Sequence, residues 1–399
     1  MIFQNLKKYT NYLFYSIILV LFVWTRIFDI QRPYWKDEYI SLETTSVNIL
    51  ENPLFNTVST NLPLYYYVLQ IGVLIGLNET NLRYVSLAIS CFTLILIFYF
   101  HKRTKNNLYL ILIFLVFLSP LQIYYSQELR TYILTQFLLV LVTYYLFKIE
   151  NKISVNYKFF SFITFLALIS HYTSFIFLFS IASYLTFFKK WTKPLIFSLL
   201  IAFIGGMAVV GLISNNKNFD DSIDKTALNM NFQNLSFFDI RENILRTNEL
   251  LTIYYNFGLH YYRFEPEFLG FFKKFMYFNF LLFAFLIFRY KIYQNNNFKM
   301  IFTTFAFIII FSILFDLLGF IDFGGRYQFP FHFLYLIGLA FYLKILGNFN
   351  KLLLLIILLV FLGTYAVSNF CLWQNLDIFI GNGDPQGVIF TKCYQKISG

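Results

Sequence analysis

Charged residues are scarce in this 399-residue chain. They make up 13% of the sequence, whereas 58% of the residues are hydrophobic. A soluble domain carries roughly 25% charged residues, so the composition excludes an ordinary soluble protein and indicates a membrane protein. Cysteine is scarce too, and the spacing of Cys91, Cys371 and Cys393 excludes a cysteine-based metal site. Cys371 and Cys393 are a disulfide pair only if both face an oxidising compartment.

The net charge of the chain is +11, with 31 Lys and Arg against 20 Asp and Glu. Such an excess raises the question of a nucleic-acid partner. Here the basic residues form short clusters between apolar stretches, which is the pattern of membrane topology. We therefore expect membrane lipids, and no nucleic acid, as partners.

Apolar stretches of spanning length occur along the whole chain, since a transmembrane helix needs about 20 mainly apolar residues. Nine stretches qualify, at roughly 11–29, 81–100, 107–123, 130–147, 194–213, 271–288, 298–318, 329–346 and 350–370. The first follows Lys7 and Lys8, and no small-x-small cleavage site comes after it. We expect it to be an uncleaved anchor and the first span.

A further apolar run covers residues 159–188 and is interrupted by Ser170, His171 and Tyr172. One straight helix of that length would be about 45 Å long, well beyond the hydrocarbon core of a bilayer. The run is therefore predicted to form two short helices that turn at His171. This brings the predicted number of spans to eleven.

The distribution of charge supports this count. With eleven spans and a cytoplasmic N-terminus, 16 of the 31 basic residues lie in short cytoplasmic loops whose single acid is Glu150. The other 19 of the 20 acids lie on or near the outer side. A single span at 159–188 would invert every later loop and remove this bias. We predict an all-α polytopic membrane protein of the plasma (inner) membrane, with about eleven transmembrane helices.

Four regions follow from this topology. They are a membrane-embedded module at 1–213 with an outer loop at 30–79, an extracytoplasmic loop at 214–270, C-terminal transmembrane helices at 271–370, and an extracytoplasmic tail at 371–399. Two amphipathic pieces in the first outer loop, at about 38–50 and 63–77, are predicted to lie along the membrane surface.

The first polar segment that offers chemistry follows the first span. Asp37 and Glu38 lie side by side there. In one interpretation they cap the surface helix that comes next. In the other, one of them is a general base held at the boundary between water and lipid.

Two further segments combine acids, bases and aromatic residues. Residues 124–132 read YYSQELRTY, a link between two spans that carries Glu128 and Arg130 between tyrosines. Residues 322–330 read DFGGRYQFP, where paired glycines permit close backbone approach and the arginine is suited to binding a phosphate. In the alternative interpretation of the first segment, its residues form a helix cap and part of an aromatic belt. In the alternative interpretation of the second, the arginine extends to the membrane–water interface.

Lesser candidates are Asn61 and Tyr65 in the segment NLPLYY, Arg83 before the second span, and His171 with Tyr172 at the break. A lone histidine is more often structural, but polar groups at membrane depth tend to line a cavity. All these groups map to the predicted outer side. An outward cavity of carboxylates and arginines beside lipid suits a reaction between a lipid phosphate and an outside acceptor.

The order of these motifs resembles the membrane-embedded glycosyltransferases of the GT-C class. The Asp-Glu pair, the Pro-Leu-Tyr-Tyr element, the early Arg, Tyr-Ser-x-Glu-x-Arg-x-Tyr, the His-Tyr break and the late Arg-Tyr-x-x-Pro follow one another as in that class. The most similar branch is the bacterial one related to protein O-mannosyltransferases, the lipid A aminoarabinose transferase and the lipopolysaccharide galacturonosyltransferases. The resemblance covers about 1–190 and 320–335. It departs at Asn61-Leu62-Pro63, where many relatives carry His-Pro-Pro.

The resemblance implies a sugar donor carried on a polyprenyl phosphate and an acceptor outside the cytoplasm: lipopolysaccharide, a lipid, a cell-surface glycan or a protein. Asp37 matches the catalytic base, with Glu38 beside it as a second catalytic candidate. The implied residues of the donor phosphate site and its lining are Arg130, Arg326, Glu128, Arg83, Tyr125, Tyr132, His171, Tyr172 and Tyr327. Asn61 and Tyr65 lie on the implied acceptor side. A divalent cation stays open, because outward acids offer oxygen ligands.

Other functions remain alternatives at this point. A transporter or flippase of lipid-linked sugars predicts ionisable groups at mid-bilayer and symmetric halves, whereas this chain has its charges at the rim and no internal repeat. A glycan polymerase or ligase would concentrate its function in a late outer loop. A receptor or structural role leaves the clustered acids and arginines unexplained.

Overall fold

The computed structural model describes residues 2–27, 30–31, 34, 36–46, 62–214, 278–279, 281–317 and 329–374. All regular structure in this part of the chain is helical, and no strand occurs in it. This confirms the predicted all-α class. The outer loop predicted at 214–270 lies outside the described residues from 215 onwards, as does the tail after 374.

Thirteen helices with defined ends make up most of the described chain. They are α1 (Ile2–Ile27), α2 (Lys36–Ser46), α3 (Leu64–Leu74), α4 (Arg83–Thr104), α5 (Asn107–Leu118), α6 (Pro120–Ser126), α7 (Tyr132–Glu150), α8 (Tyr157–Leu168), α9 (Thr173–Phe187), α10 (Lys193–Ser214), α11 (Asn296–Leu317), α12 (His332–Phe349) and α13 (Lys351–Gln374). Residues 281–289 are helical as well.

Five stretches of the described chain are long and apolar enough to cross a membrane: Glu79–Thr104, Tyr132–Glu150, Lys193–Ile213, Asn296–Phe315 and Phe329–Phe349. A sixth is added if the bent pair α5 and α6 counts as one span. The chain therefore has the architecture of a polytopic helical membrane protein. The number of eleven spans stays a prediction.

The apolar run at 159–188 divides as its sequence predicts. Helix α8 ends at Leu168 and α9 begins at Thr173, so the turn contains His171. After the turn the two helices find different partners, because α8 packs against α10 and α9 packs against α11.

The stretch 107–123 differs from the single continuous span expected there. It forms α5 and α6, which meet at an angle of 62°. Pro120 has no N–H to donate to the carbonyl of Val116, so the helix cannot continue. Ser119 then starts the new helix, because its hydroxyl accepts a hydrogen bond from the Gln122 amide at 3.4 Å.

The two pieces predicted on the membrane surface are both helical. Helix α2 covers most of 38–50, α3 covers most of 63–77, and the two pack against each other. The C-terminal turn of α3 leaves Ile71 and Leu74 exposed, followed by exposed Ile75. An apolar tip of this kind suits a helix that contacts lipid.

In the described part of the chain, four helix ends carry a lysine in the left-handed backbone region, where glycine is usual. These are Lys105 after α4, Lys152 after α7, Lys189 after α9 and Lys291 after the helix at 281–289, with φ between 50° and 54°. A lysine at this position places a positive charge beside the negative end of the helix dipole, which offsets part of the conformational cost. All four lie in loops that the sequence assigns to the cytoplasm.

The packing of the helices brings the predicted functional segments to one end of the bundle. Helix α4 packs on α5 and α7, α7 packs on α8, and α12 packs on α5. Contacts among Glu38, Arg83 and Leu129, between Tyr132 and His171, and between Tyr125 and Phe329 show that the start of α4, the α6–α7 link, the α8–α9 turn and the start of α12 lie at the same end. These are the places where the sequence predicts functional residues.

Candidate functional site

The Glu38 carboxylate is the centre of a closely connected polar group. It is fully buried in α2, and its two oxygens accept hydrogen bonds from Arg83, from Nε at 2.8 Å to Oε1 and from Nη2 at 2.6 Å to Oε2. The backbone N–H of Leu129 donates to Oε1 at 2.8 Å. One carboxylate thus joins α2, the first residue of α4 and the link between α6 and α7.

Arg83 is held on its other sides as well. Its Nη1 donates to the carbonyl of Ile30 at 2.9 Å, and its guanidinium lies 4.2 Å from the centre of the Tyr34 ring. Burial raises the pKa of Tyr34 to about 12, with the nearby Arg83 charge acting in the opposite direction. The phenol therefore stays protonated at neutral pH and donates a hydrogen bond to the carbonyl of Glu79.

The link between α6 and α7 presents two charged side chains on either side of Leu129. Glu128 and Arg130 are both buried, at 2% and 7% exposure. Electrostatic interactions link Glu128 to Arg83 and Arg130 to Tyr65. The bond from Leu129 to Glu38 therefore fixes a segment that carries one acid and one base beside the buried ion pair.

Aromatic rings continue the site from Arg130 into the bundle. The Arg130 guanidinium lies 5.6 Å from the centre of the Tyr132 ring. Tyr132 has its ring centre 5.6 Å from that of Tyr125 and 5.2 Å from that of His171. Tyr125 stacks on Phe329 at 4.0 Å. We call Tyr125, Tyr132, His171 and Phe329 the aromatic wall; it joins α6, α7, the α8–α9 turn and the segment before α12.

His171 has a defined tautomer in this wall. The backbone N–H of Thr173 donates to His171 Nδ1 at 3.2 Å, and the Thr173 hydroxyl lies 2.9 Å from the same nitrogen. An N–H donates only to an unprotonated ring nitrogen, so the proton of the neutral imidazole is on Nε2. Tyr172 lies beside it, with ring centres 6.4 Å apart.

Tyr65, predicted on the acceptor side, is packed between α3 and α4. Its side chain is fully buried, and its hydroxyl forms a 2.6 Å hydrogen bond with Ser86 on α4. The residue ties α3 to α4 in this structure. A contact between Tyr65 and an acceptor stays a prediction.

Four predicted site residues are beyond what the structure describes in part or in full. Asp37 is in the first turn of α2, next to Glu38, but its side chain lies outside the described residues. Asn61, Arg326 and Tyr327 lie outside the described residues altogether.

Phe329 follows Arg326 by three residues in the chain and is firmly held. Its carbonyl accepts a hydrogen bond from Gln136 Nε2 at 3.0 Å, and its ring stacks on Tyr125. Phe329 therefore fixes the segment just before α12 against α6 and α7.

Arg26 is a buried residue that the sequence analysis did not single out. Its Nη2 donates to the carbonyls of Val116 at 3.1 Å and Phe117 at 3.4 Å, the two carbonyls left open where Pro120 breaks the helix. Its own carbonyl accepts from Gln127 Nε2 at 2.9 Å. An arginine at the end of the first span, together with a proline inside a later apolar run, is the signal that would have pointed to this contact.

Ser119 and His332 form a second connection that the sequence did not reveal. Both are buried, and Ser119 Oγ lies 3.0 Å from His332 Nε2. The pair joins the bend between α5 and α6 to the first turn of α12. No short-range pattern marks this contact, since the two residues are 213 positions apart.

Within the described residues, no three His, Cys, Asp or Glu side chains come together as a metal site would need. Comparisons of the chain with family models, curated proteins and solved structures find no match. What the molecule itself offers is one end of a helical bundle where a buried acid–base pair, a second acid, a second arginine and an aromatic wall meet.

Proposed function

We propose that the protein is a membrane glycosyltransferase that moves a sugar from a polyprenyl-phosphate donor to an acceptor outside the cytoplasm. The acceptor classes are lipopolysaccharide, a lipid, a cell-surface glycan or a protein. The observation that carries this proposal is the convergence of five separate sequence segments. Residues from α2, the start of α4, the α6–α7 link, the α8–α9 turn and the start of α12 meet at one end of the bundle.

In the proposed reaction the acceptor hydroxyl attacks C1 of the sugar. The bond from C1 to the phosphate oxygen breaks, and its electron pair leaves with the phosphate. The hydroxyl has a high pKa, so a carboxylate must take its proton as the new bond forms, and Asp37 is the proposed base. A single displacement inverts the configuration at C1. Glu128 would be the nucleophile in the retaining alternative.

The leaving phosphate needs positive charge and no proton. Among the residues that the structure describes, Arg130 is a cation beside the aromatic wall. Arg326 precedes Phe329 of that wall by three residues in the sequence. Fixed cations placed where negative charge develops stabilise the transition state. We assign both arginines to the donor phosphate, with Tyr125, Tyr132, His171, Tyr172 and Tyr327 as the lining.

Glu38 receives a positioning role in this proposal, in place of the catalytic role it shared with Asp37. Its carboxylate already accepts hydrogen bonds from Arg83 and Leu129, and it is fully buried. A base must be within hydrogen-bond reach of the substrate. Glu38 instead anchors α2 and so fixes the backbone that carries Asp37.

The topology proposed with this function has eleven spans in the plasma membrane, a cytoplasmic N-terminus and an extracytoplasmic site. The apolar surfaces of the helices and the basic loops with their four left-handed lysines support it. The proposed partners are a lipid-linked sugar donor, an acceptor outside the cytoplasm and membrane lipids.

The test uses the full-length protein in vesicles with a radiolabelled polyprenyl-phosphate sugar and an extract of cell-envelope acceptors. Asp37→Asn should abolish transfer to any acceptor. Glu43→Gln is the matched control, because it neutralises an exposed acid on the same helix and should keep full activity.

Mass spectrometry of surface glycans and lipids, from cells with and without the protein, identifies the sugar and the acceptor together. A single missing sugar is the expected result. Normal transfer by Asp37→Asn would remove Asp37 from the base role. Donor lipid that crosses the vesicle membrane without any transfer would establish the flippase instead.

A further inference from the structure

A narrow cavity lies inside the bundle, apart from the proposed reaction site. It is enclosed by α4, α5, α7 and α12, and α6 reaches it through Gln122. On α7 the lining follows one helical stripe, from Gln136 through Val140 and Thr143 to Phe147. Most of the wall is apolar, so the polar groups in it stand out.

Two polar atoms in the wall of this cavity have no hydrogen-bond partner among the described residues. They are Nε2 of Gln122 and Oγ1 of Thr143. Both side chains are buried, at 1% and 2% exposure. In the interior of a membrane protein an amide or hydroxyl without a partner is costly, because no bulk water is present to satisfy it.

Thr143 differs in this respect from three other buried threonines, which lie on α4, α7 and α8. Thr93, Thr135 and Thr164 each donate their hydroxyl to the carbonyl four residues earlier, at 2.8 to 3.1 Å. That bond is the usual way in which a helix satisfies a threonine in an apolar setting. The Thr143 hydroxyl lacks it and borders the cavity.

We infer that this cavity is a water-binding site that connects α6 to α7. Its volume is about 30 Å³, and one water needs roughly 10–15 Å³, so the space suits about two water molecules. Gln122 offers N–H donors, and the Thr143 hydroxyl both donates and accepts. A buried water that forms several such bonds is part of the structure and replaces the missing protein partners.

Radiolytic footprinting tests this inference on the full-length protein in lipid nanodiscs. A short X-ray pulse produces hydroxyl radicals from water in place, and mass spectrometry reads the oxidised side chains. Phe333 and Phe147 line the cavity and are buried, so they should be oxidised at least severalfold faster than Phe160. Phe160 is the reference because it is fully buried and does not line the cavity.

Isosteric variants give a second measurement. Thr143→Val removes the hydroxyl without changing the volume, and it should reduce the oxidation of Phe333 and lower the Tm by about 2 °C or more, since a bound water loses a partner. Thr164→Val removes a hydroxyl outside the cavity and should leave the oxidation of Phe333 unchanged.

Two results would overturn the inference. One is oxidation of Phe333 no faster than that of Phe160 in the unmodified protein, which requires no variant. The other is an unchanged or raised Tm of Thr143→Val, as expected for a hydroxyl left without a partner in a dry cavity.

Discussion

At the scale of single residues, the Glu38–Arg83 pair is the contact on which the site is built. Both side chains are almost completely buried, and their closest atoms are 2.6 Å apart. A pair of this kind adds little net stability compared with apolar residues of the same size, but the loss of one member leaves a buried charge. The pair therefore determines the local arrangement more than the total stability.

Glu38→Gln should lower the free energy of unfolding by roughly 3–5 kcal/mol, because the Arg83 charge stays buried without its counter-charge. Chemical unfolding in detergent micelles measures the change. The Glu38→Gln/Arg83→Met double variant should recover part of the loss, since neither charge of the pair then remains. A double variant less stable than Glu38→Gln alone would contradict this account.

Arg130 should matter for chemistry more than for folding. Arg130→Gln removes a cation from the proposed phosphate position and should lower kcat by a factor on the order of 10²–10³. The donor-lipid assay measures it. Arg103→Gln, which removes an exposed arginine at the other end of α4, is the control and should keep the activity. An unchanged kcat for Arg130→Gln would assign the phosphate to other residues.

At the scale of elements, the bend between α5 and α6 determines where the link with Glu128 and Arg130 lies. Pro120 causes the bend, Arg26 binds the two carbonyls that it leaves open, and Ser119 contacts His332 on α12. Helix α6 is therefore attached to α1 at one side and to α12 at the other. A substitution at one of these contacts should therefore displace the α6–α7 link, although no residue of the site is itself changed.

Arg26→Met should destabilise the protein by about 1–3 kcal/mol, because the Val116 and Phe117 carbonyls then lack their donor. In a Pro120→Ala background the restored N–H at position 120 is available to Val116, so the same substitution should cost less. Thermal unfolding of the four proteins in this double-mutant cycle gives the coupling. Equal costs in both backgrounds would show that Arg26 acts independently of the bend.

At the scale of the whole molecule, the charge distribution and the α8–α9 turn together predict the topology. If residues 159–188 form two helices that each cross the membrane, the loops before and after them lie on the same side. In a cysteine-free background, Ser154→Cys and Thr192→Cys should both react with an impermeant maleimide only after permeabilisation.

Thr80→Cys is the outer control and should react in intact cells. It precedes α4 in the segment that carries the Glu79 carbonyl bound by Tyr34. Reaction of Thr192→Cys but not of Ser154→Cys in intact cells would mean that 159–188 crosses the membrane once, against the eleven-span topology.

The sequence by itself determined the helical class, the membrane location and the division of the run at His171. These depend on local composition, apolar length and the spacing of polar interruptions, all of which act over one or two helical turns. It also marked Glu38, Arg83, Arg130 and His171, because ionisable groups are rare among apolar spans. It missed the bend at Pro120, since an apolar run of 17 residues reads as one span.

The tertiary structure alone decided which of these residues meet and what each contacts. Glu38 and Arg83 are 45 positions apart, Glu38 and Leu129 are 91 apart, and Ser119 and His332 are 213 apart. The packing of the helices brings such pairs together, and no pattern within one segment encodes it. The role of a side chain follows from the groups that surround it. Glu38 is therefore a carboxylate held by hydrogen bonds, and Arg26 is a hydrogen-bond donor to two backbone carbonyls.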